Sequence, residues 1–136
     1  MRLLVVNELA ACVGGAEVHV RHLLAGLRER GHMVAFLHGG PPPGTLRQEP
    51  VAPPDLPTWW AGHPVDQVLD GVRSWKPDLV YAHRLIDPRV LGRLVDGYPS
   101  VYFLHSYFGV CITGARCLKA PRPRPCHRRF SWRCLA

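Results

Sequence analysis

No apolar run in this chain approaches the roughly 20 residues that a membrane-spanning helix requires. The run at its start, residues 3–6, stops at Asn7-Glu8 and is also too short for the apolar core of a secretory signal. The expectation is a cytoplasmic protein whose thiols stay reduced. Other absences narrow the function classes. The glycine fingerprint G-x-G-x-x-G is missing, and no Asp or Glu closes the run 33–37 to hold a ribose, which disfavours a dinucleotide-dependent oxidoreductase. Acidic residues are missing from 111–136, which carries seven basic ones (Arg116, Lys119, Arg122, Arg124, Arg128, Arg129 and Arg133). Residues 1–110 are balanced, so the whole net charge of +7 resides in those last 26 residues.

What is present suits a globular domain. The 136 residues are 47% hydrophobic and 20% charged, enough for one domain with a sizeable core. Residues 2–6 and 33–37 predict short buried strands by their continuous aliphatic content. Between them, Val20, Leu23, Leu24 and Leu27 fall on one stripe of a helix over 16–30, with Gly31 as its C-cap. Residues 39–64 are broken by prolines and read mostly as loop, with room for a short edge strand near 46–51. A helix over 65–75, a strand over 79–82, a helix over 88–95 opened by Pro88, and a strand over 101–104 complete the pattern. The order β-α-β, loop, α-β-α-β predicts an α/β fold, an open parallel sheet with helices on both faces. An irregular Cys-rich basic tail follows, giving a division into residues 1–110 and 111–136.

In such sheets ligands bind beyond the carboxyl ends of the strands, where strand order reverses. The first strand leads into Gly14-Gly15-Ala16-Glu17, the third ends at His83-Arg84, and the last ends at His105-Ser106-Tyr107. Right-handed crossovers bring these ends to one rim. Gly14 and Gly15 either form a simple turn or let the backbone approach an anion at a helix N-terminus. Glu17 either caps its own helix or accepts a hydrogen bond from a sugar hydroxyl. His83 and His105 each stand as structural or functional residues. His19, His22, His32, His38 and His63 are expected on the surface or on helix faces.

Taken together, "GGAE" at 14–17, "LAGLRERGHMVAFL" at 24–37, "KPDLVYAH" at 76–83 and "SVYFLHSYFGVC" at 100–111 resemble the first domain of family 4 retaining glycosyltransferases. That family has two Rossmann-like domains, the GT-B architecture. The cysteine-bearing continuation is similar to a subset with a Cys-rich insert at this point. The resemblance implies a nucleotide-sugar donor held mainly by a second, C-terminal domain and a glycan or lipid-linked acceptor held by this one. It places Gly14 and Gly15 against the donor phosphates and His105 at the donor sugar as the catalytic residue, with His83, Arg84 and Glu17 toward the acceptor. It also implies that transfer needs no metal. The second domain and its paired glutamates are not in this sequence, so the chain is expected not to transfer sugar by itself. It would act with that domain supplied in cis or in trans.

Cys111, Cys117, Cys126 and Cys134 are spaced C-x5-C-x8-C-x7-C, with His127 beside the third. Four thiolates suit tetrahedral zinc or an iron–sulfur cluster, although structural zinc sites favour tighter pairs. Reduced, half-buried thiols are the alternative, with disulfides third; Cys12 is expected to be unpaired. The Arg/Pro run around Cys126 could meet nucleic-acid phosphates. With only Phe130 and Trp132 interleaved it lacks a stacking platform. A phosphorylated lipid at the inner membrane face, an anionic glycan or plain solvation fits the charge as well. A non-enzymatic module that grips nucleic acid or a partner protein is the first alternative function.

Overall fold

A computed structural model describes residues 1–42, 44–45, 47–85, 87–107, 111, 117–118, 122, 124–127 and 134. They fall into two compact units, Met1–Phe103 and Leu104–Ala136.

In the first unit the aliphatic runs form strands where the sequence predicts them. In chain order the elements are β1 (Arg2–Asn7), α1 (Gly15–Glu29), β2 (Met33–His38), β3 (Thr58–Trp60), α2 (Val65–Trp75), β4 (Leu79–Ala82), α3 (Pro88–Gly97) and β5 (Ser100–Tyr102). All five strands are parallel, in the order β3-β2-β1-β4-β5. The chain therefore leaves β1 toward one side of the sheet and later returns to β4 on its other side. That reversal creates the crevice at which open α/β sheets place their ligands.

Each strand of the middle of the sheet is buried on both faces, which explains its unbroken hydrophobicity. On one face Val5, Val34 and Phe36 pack with Val20 and Leu24 of α1 and with Val51 and Leu56 of the β2–β3 connection. On the other, Leu4, Val6, Leu37 and Val80 pack with Val68, Leu69 and Val72 of α2 and with Val90 and Leu94 of α3. α1 reads the 3.6-residue stripe as expected, and Gly31 follows it at φ +78°, the left-handed geometry a glycine allows. α3 begins with Asp87, whose carboxylate accepts the Arg89 N–H at 2.9 Å, followed by Pro88 in the first turn.

Two expectations are corrected, one for the proline-rich stretch and one for the last strand. The edge strand is Thr58–Trp60, immediately before Ala61-Gly62, and not a segment within 46–51. Pro57 delivers it: its carbonyl accepts the Phe36 N–H at 2.9 Å, so β3 grows on the open edge of β2. Leu46 lies outside the described residues. Pro50 instead makes an isolated antiparallel bridge with Ala11, flanked by Cys12 N–H to the Glu49 carbonyl and Val51 N–H to the Ala10 carbonyl, each 2.8 Å. β5 is also shorter than predicted and lies at the other edge, with Val101 and Tyr102 about half exposed.

Within the second unit, β6 (Cys117–Leu118) pairs antiparallel with β7 (Arg124–Pro125). Among the described residues no helix is long and apolar enough to cross a membrane.

Candidate functional site

Strand register fixes what reaches the carboxyl edge. Asn7 aligns with His38, and His38 with Trp60. One step earlier Val6 aligns with Ala82, and Ala82 with Tyr102. The ladder runs one residue further, because His83 N–H donates to the Val6 carbonyl and Phe103 N–H to the Ala82 carbonyl, both at 2.8 Å. Trp60, His38, Asn7, His83 and Phe103 thus form one row across the sheet's carboxyl edge. By strand alternation this row shares the face of Val5 and Phe36, which is the face that α1 covers.

The start of α1 meets this row. The rings of His19 and His83 are 5.6 Å apart, those of His19 and Phe103 5.4 Å and those of His83 and Phe103 5.6 Å. Tyr81, two residues back along β4, closes on His83 at 4.6 Å. His83 stands at the end of β4 as the sequence placed it, but its side chain is 2% exposed beneath these rings. Arg84, the next residue, is exposed. His19 lies exposed on α1, the surface or helix-face position the sequence predicts; what sequence reasoning misses is that its ring joins α1 to the ends of β4 and β5. Its place in the second turn of a helix that follows a strand-end glycine pair is the signal that could have singled it out.

Gly14 is the N-cap of α1 and Gly15 its first residue, and both are exposed. Among the described residues no side-chain hydrogen bond caps this end, and a helix N-terminus left uncapped is the arrangement that receives an anion. Gly15 has open space where a Cβ would stand, whereas a Cβ on Gly14 would lie 3.3 Å from Glu17 Oε2. Glu17 is in the first turn, where a carboxylate complements the helix dipole, and it folds back toward Gly14.

A second concavity of about 480 Å³ opens beyond the ends of β1, β2 and β3 and the start of α3. Glu8, Gly39, Gly40, Asp87 and Arg89 line it. Glu8 Oε1 accepts the Gly40 N–H at 2.9 Å, which ties the β1 and β2 loops together. Asp87 and Arg89 pair at 2.8 Å, and that partner, with the backbone N–H groups of the cap, lowers the Asp87 carboxyl to about 2. Carboxylates and a guanidinium around an open hollow can exchange hydrogen bonds with a hydroxyl-rich ligand. The end of the second strand, His38-Gly39-Gly40, is a part of the rim that the sequence reading does not single out, although a histidine followed by two glycines at a strand end marks it.

His38 itself corrects the expectation of a surface residue, since it is 1% exposed at the end of β2. Burial lowers its pKa, opposed by its contact with the Gly39 carbonyl and by the charge of Glu8. Nδ1 stands 3.0 Å from that carbonyl oxygen, so the neutral ring carries its proton there and leaves Nε2 as an acceptor. His22 and His63 are exposed, as expected.

His105 belongs to the second unit and is exposed there. In the same unit Cys111 N–H donates to the Tyr107 carbonyl at 2.8 Å, Cys117 lies in β6, and Cys126 follows β7; with Cys134 all four are half-buried. Among the described residues no disulfide joins the cysteines, and no three His, Cys, Asp or Glu side chains are grouped to hold a metal ion. Cys12 Sγ is 3.9 Å from the Pro50 carbonyl oxygen. Arg116, Lys119, Arg128, Arg129 and Arg133 of the basic segment lie outside the described residues, as do Phe130 and Trp132.

The sheet order, the open N-terminus of α1 and the polar row at the strand ends are those of a ligand-binding α/β domain. No curated protein matches the chain. The family model of glycosyltransferase family 4 matches residues 13–136, which includes the glycine pair, both histidine-bearing strand ends and the cysteine segment. On that match the chain belongs to glycosyltransferase family 4.

Proposed function

We propose that this chain is the acceptor-side half of a retaining glycosyltransferase, moving a sugar from a nucleoside-diphosphate donor to a glycan or lipid-linked acceptor. The observation that carries this reading is the meeting of the His19, His83 and Phe103 rings. It draws the start of α1, with its exposed glycine pair, and the ends of β4 and β5 to one rim in a chain of this family.

In this reading the Gly14 and Gly15 backbone lies against the donor diphosphate, where fixed N–H groups stabilise the charge that develops on the leaving group. Glu17 accepts a hydrogen bond from a sugar hydroxyl of the acceptor. His83, packed among rings, holds the floor of the acceptor side, and Arg84 reaches the acceptor from the exposed position beside it. His105 orients the donor sugar near the reacting carbon. As in the family it resembles, transfer requires no metal, and backbone donors stabilise the diphosphate charge. A second Rossmann-like domain, in cis or in trans, supplies most of the donor contacts, and the reaction takes place in the cytoplasm.

The test is complementation. The purified 136-residue chain is incubated with UDP- and GDP-sugars and with glycan and polyprenyl-phosphate acceptors, alone and together with the donor-binding domain of a family 4 enzyme. Nucleotide release coupled to sugar transfer is expected only in the mixture, and Gly15→Val should lower it about 100-fold, an ordinary loss for one misplaced charge-stabilising donor. Transfer by the chain alone would overturn the half-enzyme reading. Transfer that survives Gly15→Val and His83→Ala unchanged would overturn the site.

A further inference from the structure

A separate cavity of about 310 Å³ lies at the ends of β2 and β3 and shares no lining residue with the hollow around Glu8 and Arg89. Its size is at the low end of small-ligand pockets, which begin near ~300 Å³. Trp59 and Trp60 supply its aromatic surface, and Thr58, His63 and Gln67 its polar groups, with His38 behind them. Among the described residues, none that lines it is Asp, Glu, Lys or Arg. A phosphate or carboxylate would find no counter-charge here, so the fitting ligand is uncharged.

The tryptophans are held in place before any ligand arrives. Trp60 Nε1–H donates to the Gly40 carbonyl at 3.2 Å, and His63 meets the indole edge-on at 5.2 Å. The indole lies so close to Gly62 that a Cβ there would come within 2.2 Å of Cζ2. Trp59 stands edge-on to Trp75 at 6.3 Å, and a Cβ on Gly71 would come within 2.4 Å of its Nε1. Two glycines thus form the seats of two half-buried indoles. A fixed aromatic surface loses little freedom on binding, which favours a weakly hydrophobic ligand.

We infer that this cavity binds one ring of a neutral sugar, with the apolar C–H face of the ring against indole and its hydroxyls toward Gln67, His63 and Thr58. Thr58 Oγ1 donates to the Leu56 carbonyl at 2.9 Å and so keeps its lone pairs for an incoming hydroxyl. Gln67 offers both a donor and an acceptor, the pairing a hydroxyl can use in both directions. This inference does not depend on the transfer reaction, because it concerns recognition at a site apart from the glycine pair.

Binding is read from the indole N–H signals of 15N-labelled full chain during titration with neutral hexaoses of glucose, galactose, mannose and N-acetylglucosamine at millimolar concentration. Saturable shifts confined to the Trp59 and Trp60 signals are expected with at least one of them. Gln67→Ala, an exposed helix substitution that leaves the fold intact, should weaken that binding about tenfold by removing a hydrogen-bonding group. Silence of both signals toward every oligosaccharide overturns the inference. So do shifts with adenosine or uridine alone, which would mark a nucleobase site, and sugar shifts that Gln67→Ala and His63→Ala leave unchanged.

Discussion

Gly15 and Gly40 show how differently a glycine can matter. A Cβ on Gly15 enters open space in an ordinary helical position, so Gly15→Ala should leave the urea midpoint nearly unchanged, within about 0.5 kcal/mol. Any loss of transfer in the complemented assay would then report backbone approach to the donor. Gly40 sits at φ +60°, and its Cβ would lie 2.9 Å from the Glu8 carbonyl oxygen. Gly40→Ala should cost at least about 1–2 kcal/mol from the left-handed backbone alone, visible as a lower urea midpoint. His38 carries a pH dependence. Burial holds its folded pKa below the ordinary 6.5, so the unfolded chain takes up a proton first as pH falls. Stability from this residue is intact above about pH 6.5 and declines below it. In urea melts at pH 7.5 and 5.5, His38→Gln should reduce the difference seen in the wild-type chain.

At the scale of the element, α3 depends on its start. Asp87 caps it through the Arg89 N–H, and the neighbouring arginine keeps the carboxyl ionised to about pH 2. Since Arg89 is solvated, the energy expected is that of a helix cap and not of a buried ion pair. Asp87→Ala should lower stability by about 1 kcal/mol, with Asp87→Asn recovering most of it; thermal melts of the two variants check this. The cap's contribution holds above the ordinary carboxylate value of 3.8 and is lost as pH falls from there toward about 2. The elements also show what a sequence can disclose. β1, β2 and β4 were legible because strands buried on both faces must be continuously aliphatic. The helix over residues 65–75 was legible to the residue, because one side of it had to face the sheet. β3 was not, since three residues carry no period and become a strand only where β2 leaves an edge unpaired. The site divides in the same way. His83 could be read from its place after an apolar run, whereas His19 and His38 acquire their surroundings only from helix placement and from the register that sets Asn7 beside His38.

For the whole molecule, both apolar clusters draw their buried members, among the described residues, from between Leu4 and Leu94. A chain ended after Tyr107 should therefore unfold cooperatively with a midpoint within a few degrees of the 136-residue protein; differential scanning calorimetry of the two decides it. A larger loss would mean that the cysteine segment contributes to the first unit's stability.

The clasp between Ala11 and Pro50 has a consequence of its own. It fastens the stretch leading into α1 to a distant point of the β2–β3 connection, where Cys12, 38 residues before Pro50, also reaches the Pro50 carbonyl. Insertions among the glycines and prolines before residue 48 can bulge outward and leave that knot tied. A one-residue slip at 49–51 cannot, for it would tow the chain ahead of α1 along with it. Tolerance to length change should thus fall sharply over a few positions that look, by composition, like any other part of a loop.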